Sequence, residues 1–265
     1  MAFPSLLGIR YDGGSSHTRG SAAAPPRIRR ALASAAGNAW SEQGRNVQGD
    51  LMDAGDVVVP ASANPRPRVT AAVDEVLQAG RRPLVLGGDH SVTHPVLRAV
   101  RSRHPALTIV QLDAHPDLYP SFDGDPHSHA CPFARILEED GADRLVQVGI
   151  RAMTPEQQKQ GERFDVDVID MDRWTRGDRP TLDGPTYVSI DVDVLDPAFA
   201  PGVSHPEPGG LSTRDAIQLI HALDVPLVGA DLVEYNPLRD RNGQTAAVCA
   251  KLVTELTAQL VAHPV

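Results

Sequence analysis

The sequence predicts an α/β protein of three layers, with helices on both faces of a mixed, mainly parallel sheet of about eight strands. Short runs rich in β-branched and apolar residues alternate along the chain with segments of helical periodicity. Several of the apolar runs end in Gly, Asp or His, and open α/β sheets gather ligands at the carboxyl ends of their strands. With 265 residues, 41% of them hydrophobic, one domain spanning 1–265 can bury a large core.

Taken in order, Ser5–Tyr11 reads as a strand and Pro25–Ala36 as a helix opened by prolines. Arg66–Ala79 places Val69, Ala72, Val73, Val76 and Leu77 on one helical face and stops at Gly80. Pro83–Leu86 is a short apolar strand that runs into Gly87-Gly88, and His94–Arg103 is helical. Strands follow at Leu107–Leu112, Leu145–Gly149 and Val166–Met171, separated by helices at Ala130–Glu139 and Pro155–Arg163. Thr186–Val192 and Pro226–Val233 are the last strands, with a helix at Thr213–Leu223 between them. Thr245–His263 closes the chain as a long amphipathic helix. The irregular segments are 37–49, 116–128, 198–210 and 236–244, and three of them follow strand ends that carry acids or histidines. There is no internal repeat and no low-complexity tract.

A formal net charge of −9 argues against a nucleic-acid or anionic-membrane partner, either of which calls for a basic stripe. The two cysteines, Cys131 and Cys249, form no CxxC pair, which excludes a zinc ribbon and suits a reducing compartment. The opening Met-Ala-Phe-Pro-Ser-Leu-Leu-Gly has no basic stretch before an apolar one, and no run approaches eighteen apolar residues. A cytoplasmic protein is expected.

Two segments carry the chemistry. Asp113-Ala-His115-Pro-Asp117 follows one strand, and Ser189-Ile-Asp191-Val-Asp193-Val-Leu-Asp196-Pro197 ends another. By strand alternation Asp113, His115 and Asp117 share one face, as do Asp191 and Asp193. Buried carboxylates so close together repel unless a cation lies between them. Gly87-Gly88-Asp89-His90 follows a third strand, and its glycines are expected to permit a tight turn that brings His90 to the same end. An Asp at a strand end commonly caps a helix or turns a loop. Capping does not account for acids at i and i+2 on two strand ends with a histidine on a third. The set has nitrogen and oxygen donors without sulfur, which suits Mn²⁺ or a similar ion, and it outnumbers the needs of one ion.

The three segments, in this order, resemble those of the ureohydrolase family, which includes arginases, agmatinases and related amidinohydrolases. The wording is nearest to agmatinases and plant-type arginases. The resemblance extends to Ser15–Arg29, to Ala198–Ser212 and to Asp231-Leu-Val-Glu234-Tyr-Asn-Pro237, so it covers nearly the whole chain. It implies an arginase-like fold, two Mn²⁺ per chain and a homotrimer or homohexamer. By position it implies His90 and Asp117 on one ion, His115 and Asp193 on the other, and Asp113 and Asp191 bridging the pair. Two metals would lower the pKa of a shared water and aim it at a guanidinium carbon. Catalytic roles fall to Asp117, to Glu234 as acceptor for the guanidinium N–H groups, and to His129 as proton shuttle to the leaving amine. His129 is fixed by the Ser128-His129-Ala-Cys-Pro-Phe133 context. Asp196 is expected to support the metal ligands without binding metal. His127 is expected to be a solvated loop residue, and His205, although close to the site in sequence, is not favoured as part of the pocket wall. Cys131 is expected to pack beside the site.

The far end of the substrate is read from the loop Leu118–His127. Tyr119 stands where many arginases have Asn, and Asp123 and Asp125 are present without Arg or Lys. Two acids would repel a carboxylate and favour a terminal ammonium, which makes Tyr119 and Asp125 substrate-binding candidates. Hydrolysis of agmatine to urea and putrescine is therefore the first expectation. Arginine to ornithine is the alternative, followed by guanidino acids such as guanidinobutyrate. An inactive regulatory homologue has no reason to keep the buried charges, His129 and Glu234. A single-zinc deacetylase would not need both His90 and the Asp191/Asp193 pair.

Overall fold

The structure, a computed structural model, describes residues 3–263. Its eight strands are β1 (Pro4–Arg10), β2 (Met52–Val58), β3 (Arg82–Leu86), β4 (Thr108–Leu112), β5 (Arg144–Ile150), β6 (Asp167–Asp170), β7 (Thr186–Asp191) and β8 (Leu227–Val233). They form one sheet in the order β2-β1-β3-β8-β7-β4-β5-β6. Every pairing is parallel, so the sheet is more uniform than the mixed one expected.

Side chains alternate across the sheet and are buried on both faces. Leu6, Leu84, Leu86, Val110, Val188 and Ile190 enter one core, and Leu7, Ile9, Val85, Ile109 and Tyr187 enter the other. The helices are α1 (Ala24–Leu32), α2 (Arg66–Gln78), α3 (Thr93–Arg103), α4 (Pro132–Glu138), α5 (Pro155–Arg163), α6 (Met171–Thr175), α7 (Thr213–His221) and α8 (Gln244–Ala262). The first core is closed by α1, α6, α7 and α8, and the second by α2, α3 and α4. At 19 residues α8 is long and apolar enough to match a membrane span, but most of it is buried against α1, α7 and β8. It is the core helix of this layer.

Two elements are not evident from the sequence. β2 is an edge strand with Met52 47% and Val58 52% exposed, so burial imposes no apolar alternation on it. It is held from the side instead, by Arg29 of α1, which pairs with Asp53 at 2.8 Å and with Asp56. The short α6 starts where the sixth strand was expected to end, because Asp170 Oδ1 accepts the Arg173 amide at 2.8 Å and caps a new turn.

The sheet order brings the chemistry to one edge. The four central strands, β3-β8-β7-β4, lie side by side, and each runs into a segment rich in ionisable residues.

Candidate metal centre

His90 follows β3 on a 3-10 turn, His90–Val92, that is capped by the Asp89 carboxylate accepting from Ser91 N at 3.1 Å. The glycines before it serve close approach, not the turn expected, since neither has a positive φ. A β-carbon on Gly88 would lie 1.6 Å from the Tyr11 carbonyl oxygen, and one on Gly87 would lie 2.5 Å from Val233 Cγ1. The acids also converge by another route than strand alternation. Asp113 follows the last residue of β4, and its Oδ1 accepts the His115 amide at 2.7 Å. Asp191 repeats the device at the end of β7, accepting the Asp193 amide at 2.8 Å. These turns fold His115 and Asp193 back towards the strand ends. Asp117 (φ 50°) and Glu234 (φ 63°) adopt left-handed backbone, a conformation that non-glycine residues keep only where their surroundings enforce it.

The ligand atoms fall into two groups that share Asp113: His90, Asp113 and Asp117, and Asp113, His115 and Asp193. His90 Nδ1 lies 3.2 Å from Asp113 Oδ2, 3.0 Å from Asp117 Oδ2 and 3.3 Å from Asp191 Oδ2. His115 Nδ1 lies 3.1 Å from Asp193 Oδ2 and 3.6 Å from Asp113 Oδ1. Asp191 thus meets the first group through His90. Behind the cluster, Gln111 Nε2 donates to Asp113 Oδ2 at 2.7 Å and is itself held by Gln147.

The donor set fits metal ions. His90 Nε2 is 3.1 Å from Ser189 Oγ, and that hydroxyl donates to Asp231 at 2.6 Å, so Nε2 carries the ring proton. Nδ1 is buried and makes no hydrogen bond with any of the three carboxylates around it. In a neutral ring a lone pair would face anionic oxygens, which is favourable only with a cation between them. Without metal, protons take that place. Burial, then the neighbouring Asp193 and Asp113, push Asp191 up, and burial with Asp113 pushes Asp117 up to about 6. Burial opposes charge on His90 and His115, but the adjacent carboxylates outweigh it and both rings are raised.

Beside the cluster lies a cavity of about 440 Å³ lined by His115, Asp117, Asp191, Asp193, His129 and Glu234. Glu234 Oε1 accepts the His90 amide at 2.9 Å and faces His129 Nδ1 at 3.1 Å, while Oε2 is buried without a partner among the described residues. Burial works against Glu234 ionising, but His129 and the His90 amide hold it below the usual range. For His129, burial is outweighed by Glu234, Asp117 and Asp89, and the ring is pushed up to about 9.

Tyr119 lines this cavity with Phe122, their rings 5.2 Å apart. Asp125 does not. It is exposed and borders a separate cavity of about 260 Å³, because a tight turn pairs its backbone with Phe122 and its Oδ1 caps the His127 amide. Asp123 is exposed as well, so the ground for favouring agmatine falls away. His127 is half-buried in the second cavity, stacked 6.0 Å from His94. His205 does reach the wall of the first cavity, stacked on His129 at 4.9 Å. The Asp196 carboxylate accepts the amides of Ala198, Gly209 and Gly210, bracing the loop. Cys131 is buried, and burial pushes its thiol up to about 12.

Residues 4–258 match the arginase family. The chain belongs to that family. It is 46% identical to arginase 1, mitochondrial, of Arabidopsis thaliana over 98% of this chain and 81% of that protein. Agmatinase of Bacillus anthracis is 35% identical over 77% of this chain and 73% of its own length. The solved arginase of Medicago truncatula superposes with a TM-score of 0.88 at 43% identity, covering 98% of this chain and 87% of that one.

Within this arginase-family site, sequence reading missed Ser16, Arg151, Thr154, Gln157 and Glu207, all of which line the cavity. Arg151 looks like an anchor for an anion but has no donor left. Its guanidinium bonds the carbonyls of Gly149, Asp193, Val194 and Glu207 through all five N–H groups. Its signal was its position directly after the β5 strand. Ser16 and Glu207 lie in the stretches 15–29 and 198–212 that carry the resemblance, but no spacing within them singles out either residue.

Proposed function

We propose that this chain is a manganese-dependent ureohydrolase with two ions per chain, and that it hydrolyses arginine to urea and ornithine. The observation that carries the reading is Glu234 Oε2, a buried carboxylate oxygen without a partner, beside His129 and the two ligand groups. A guanidinium N–H supplies the missing donor.

Asp113, Asp117, Asp191 and Asp193 would hold the ions with His90 and His115, their four charges balancing two divalent cations. When bound, the ions supply an acidified water next to a carbon that water alone attacks very slowly. Glu234 orients the guanidinium by its free oxygen and the His129 ring by the other. Because a carboxylate only accepts, Nδ1 of His129 keeps its proton. Nε2 is then the atom that gives a proton to the departing amine nitrogen.

At the far end, the features fit an amino acid better than a plain amine. Tyr119 offers a hydroxyl, and Thr154 caps the nine-residue α5, whose N-terminal turn lies at the cavity wall. These suit an α-carboxylate. Glu207 offers a carboxylate for the α-ammonium. The named relative of higher identity and coverage, an arginase, supports the same choice.

The test is urea release after loading with Mn²⁺, comparing kcat/KM for arginine and agmatine. A higher value for arginine is expected. A higher value for agmatine would return the reading to an agmatinase, and no urea from either would remove both.

A further inference from the structure

One hydrogen bond in the cavity plays no part in holding the guanidinium or the ions. Ser16 Oγ lies 2.8 Å from Nε2 of His129, the nitrogen opposite Glu234. We propose that Ser16 is a positioning residue for His129, holding the ring in place in both of its protonation states. The inference rests on the ureohydrolase reading for its consequence, but not for its geometry.

The choice of a hydroxyl follows from what the ring must do. Glu234 can only accept, so it fixes the proton on Nδ1 and grips that side in every state. Nε2 alternates between N–H donor and bare acceptor as it loses and regains its proton. A carboxylate or a carbonyl there would serve one state only, and an ammonium the other. A serine hydroxyl serves both by rotating about its C–O bond. Nε2 makes one in-plane hydrogen bond at a time, so Ser16 holds it before and after the transfer and is exchanged for the departing amine while the proton moves.

The segment carrying Ser16 is built for this. Gly14, two residues earlier, donates its amide to Asp89 Oδ2 at 2.7 Å and accepts the backbone amide of His129 itself at 3.1 Å. On the other side, Ser204 Oγ donates to the Thr18 carbonyl at 2.7 Å, and Asn236 Nδ2 reaches the carbonyls of Thr18 and Arg19 at 3.3 and 3.4 Å. Gly20 lies so close to Asn236 that a β-carbon would stand 2.2 Å from its Oδ1. Glu234 and Asn236, two positions apart, therefore control opposite edges of the same imidazole, one directly and one through the Ser16 segment.

The experiment pairs Ser16→Ala with Ser16→Thr and reads both the ring and the kinetics. Long-range ¹H–¹⁵N correlation of His129 in metal-free protein should show one ring environment for the unaltered chain. Ser16→Ala should shift or split the Nε2 resonance, and Ser16→Thr should leave it near its original position. With Mn²⁺ and substrate, Ser16→Ala should lower kcat at least about tenfold with KM changed less than about twofold, and Ser16→Thr should restore most of the loss. An unchanged Nε2 resonance in Ser16→Ala overturns the proposal, as does a raised KM with kcat intact, which would make Ser16 a binding group. If the unaltered protein releases no urea from any guanidino compound, the functional reading fails, and the ring spectrum still decides the placement of Ser16.

Discussion

Glu234 Oε1 lies 3.1 Å from His129 Nδ1, and this contact joins the end of β8 to the loop after β4. The same oxygen accepts the His90 amide, so one carboxylate ties the proton-carrying ring to the segment that holds the first ligand group. Replacing Glu234 by Gln keeps the shape and removes the charge. Urea release should fall about 10²-fold or more, since both guanidinium binding and the His129 ring lose their anion. The His129 ring, now at about 9, should titrate lower in the variant, as NMR of the metal-free protein can read. A ring that titrates unchanged would show that Glu234 does not govern it.

Metal binding should release protons and strengthen with pH. Asp117 and Asp191 are raised by burial and by neighbouring carboxylates, and His90 and His115 are raised because those carboxylates outweigh burial. All four therefore hold protons at higher pH than usual in the metal-free site, and an ion must displace them. Mn²⁺ affinity should rise from pH 6 to pH 8. Calorimetry in two buffers of different ionisation enthalpy should show a net proton release at pH 7. Affinity that stays level over this range would mean that the ligand atoms are already free of protons. At 100 times the dissociation constant the ion should stabilise the fold by about 2.7 kcal/mol.

Much of this site was legible because the informative residues are neighbours in sequence. Asp113, His115 and Asp117 form a recognisable unit, and so do Asp191 and Asp193, whatever conformation brings them together. The conformation itself was misread. Strand alternation was the expected cause, but the side chains converge through turns closed by Asp113 and Asp191 on the amides two residues ahead. Long-range causes left no local mark. The Asp123-Gly124 pair marks a turn, but nothing around it tells that the turn faces Asp125 into another cavity. β2 was invisible because an edge strand tied down by Arg29 needs charges where a central strand needs apolar residues.

Gly88 shows the same limit and gives a stability test. The turn expected there would tolerate alanine at modest cost, whereas the backbone of Tyr11 leaves no room for a β-carbon. Gly88→Ala should destabilise the protein by about 3 kcal/mol or more, at the upper end of overpacking effects, as measured by denaturant unfolding. A loss under about 1 kcal/mol would indicate that β1 and β3 separate easily at this end.

Glu255, buried in α8, should contribute to stability in a pH-dependent way. It accepts from Lys251 Nζ at 2.5 Å, from His221 Nε2 at 2.7 Å and from the Glu42 amide at 3.0 Å. Burial disfavours its charge, but these donors outweigh burial and hold its pKa below the usual range. Its contribution is thus complete above the unfolded value of about 4.3 and is lost as pH falls through the lower folded value. Glu255→Gln should cost about 1–3 kcal/mol at pH 7. The gap between variant and parent should narrow below pH 4. A gap that is constant down to pH 3 would assign the loss to packing.

Asp125, the loop acid that the sequence singles out, and Glu207, the one it does not, belong to different cavities. Asp125 borders the second, whereas Glu207 lines the first and places Oε1 3.8 Å from His115 Nε2. The carbonyl of Glu207 also holds Arg151, but a side-chain substitution leaves that bond in place. Asp125→Asn should therefore keep kcat/KM for arginine and for agmatine within about twofold of the parent. Glu207→Gln removes the carboxylate assigned to the α-ammonium and should lower kcat/KM for arginine about tenfold, the worth of one exposed charge-assisted hydrogen bond. Agmatine carries the same amine without the adjacent carboxylate, so its kcat/KM should fall too and the ratio between the substrates should change little. Rates that respond to Asp125 and not to Glu207 would mean that the 122–125 turn reorients when substrate binds, returning Asp125 to the cavity that its sequence position suggested.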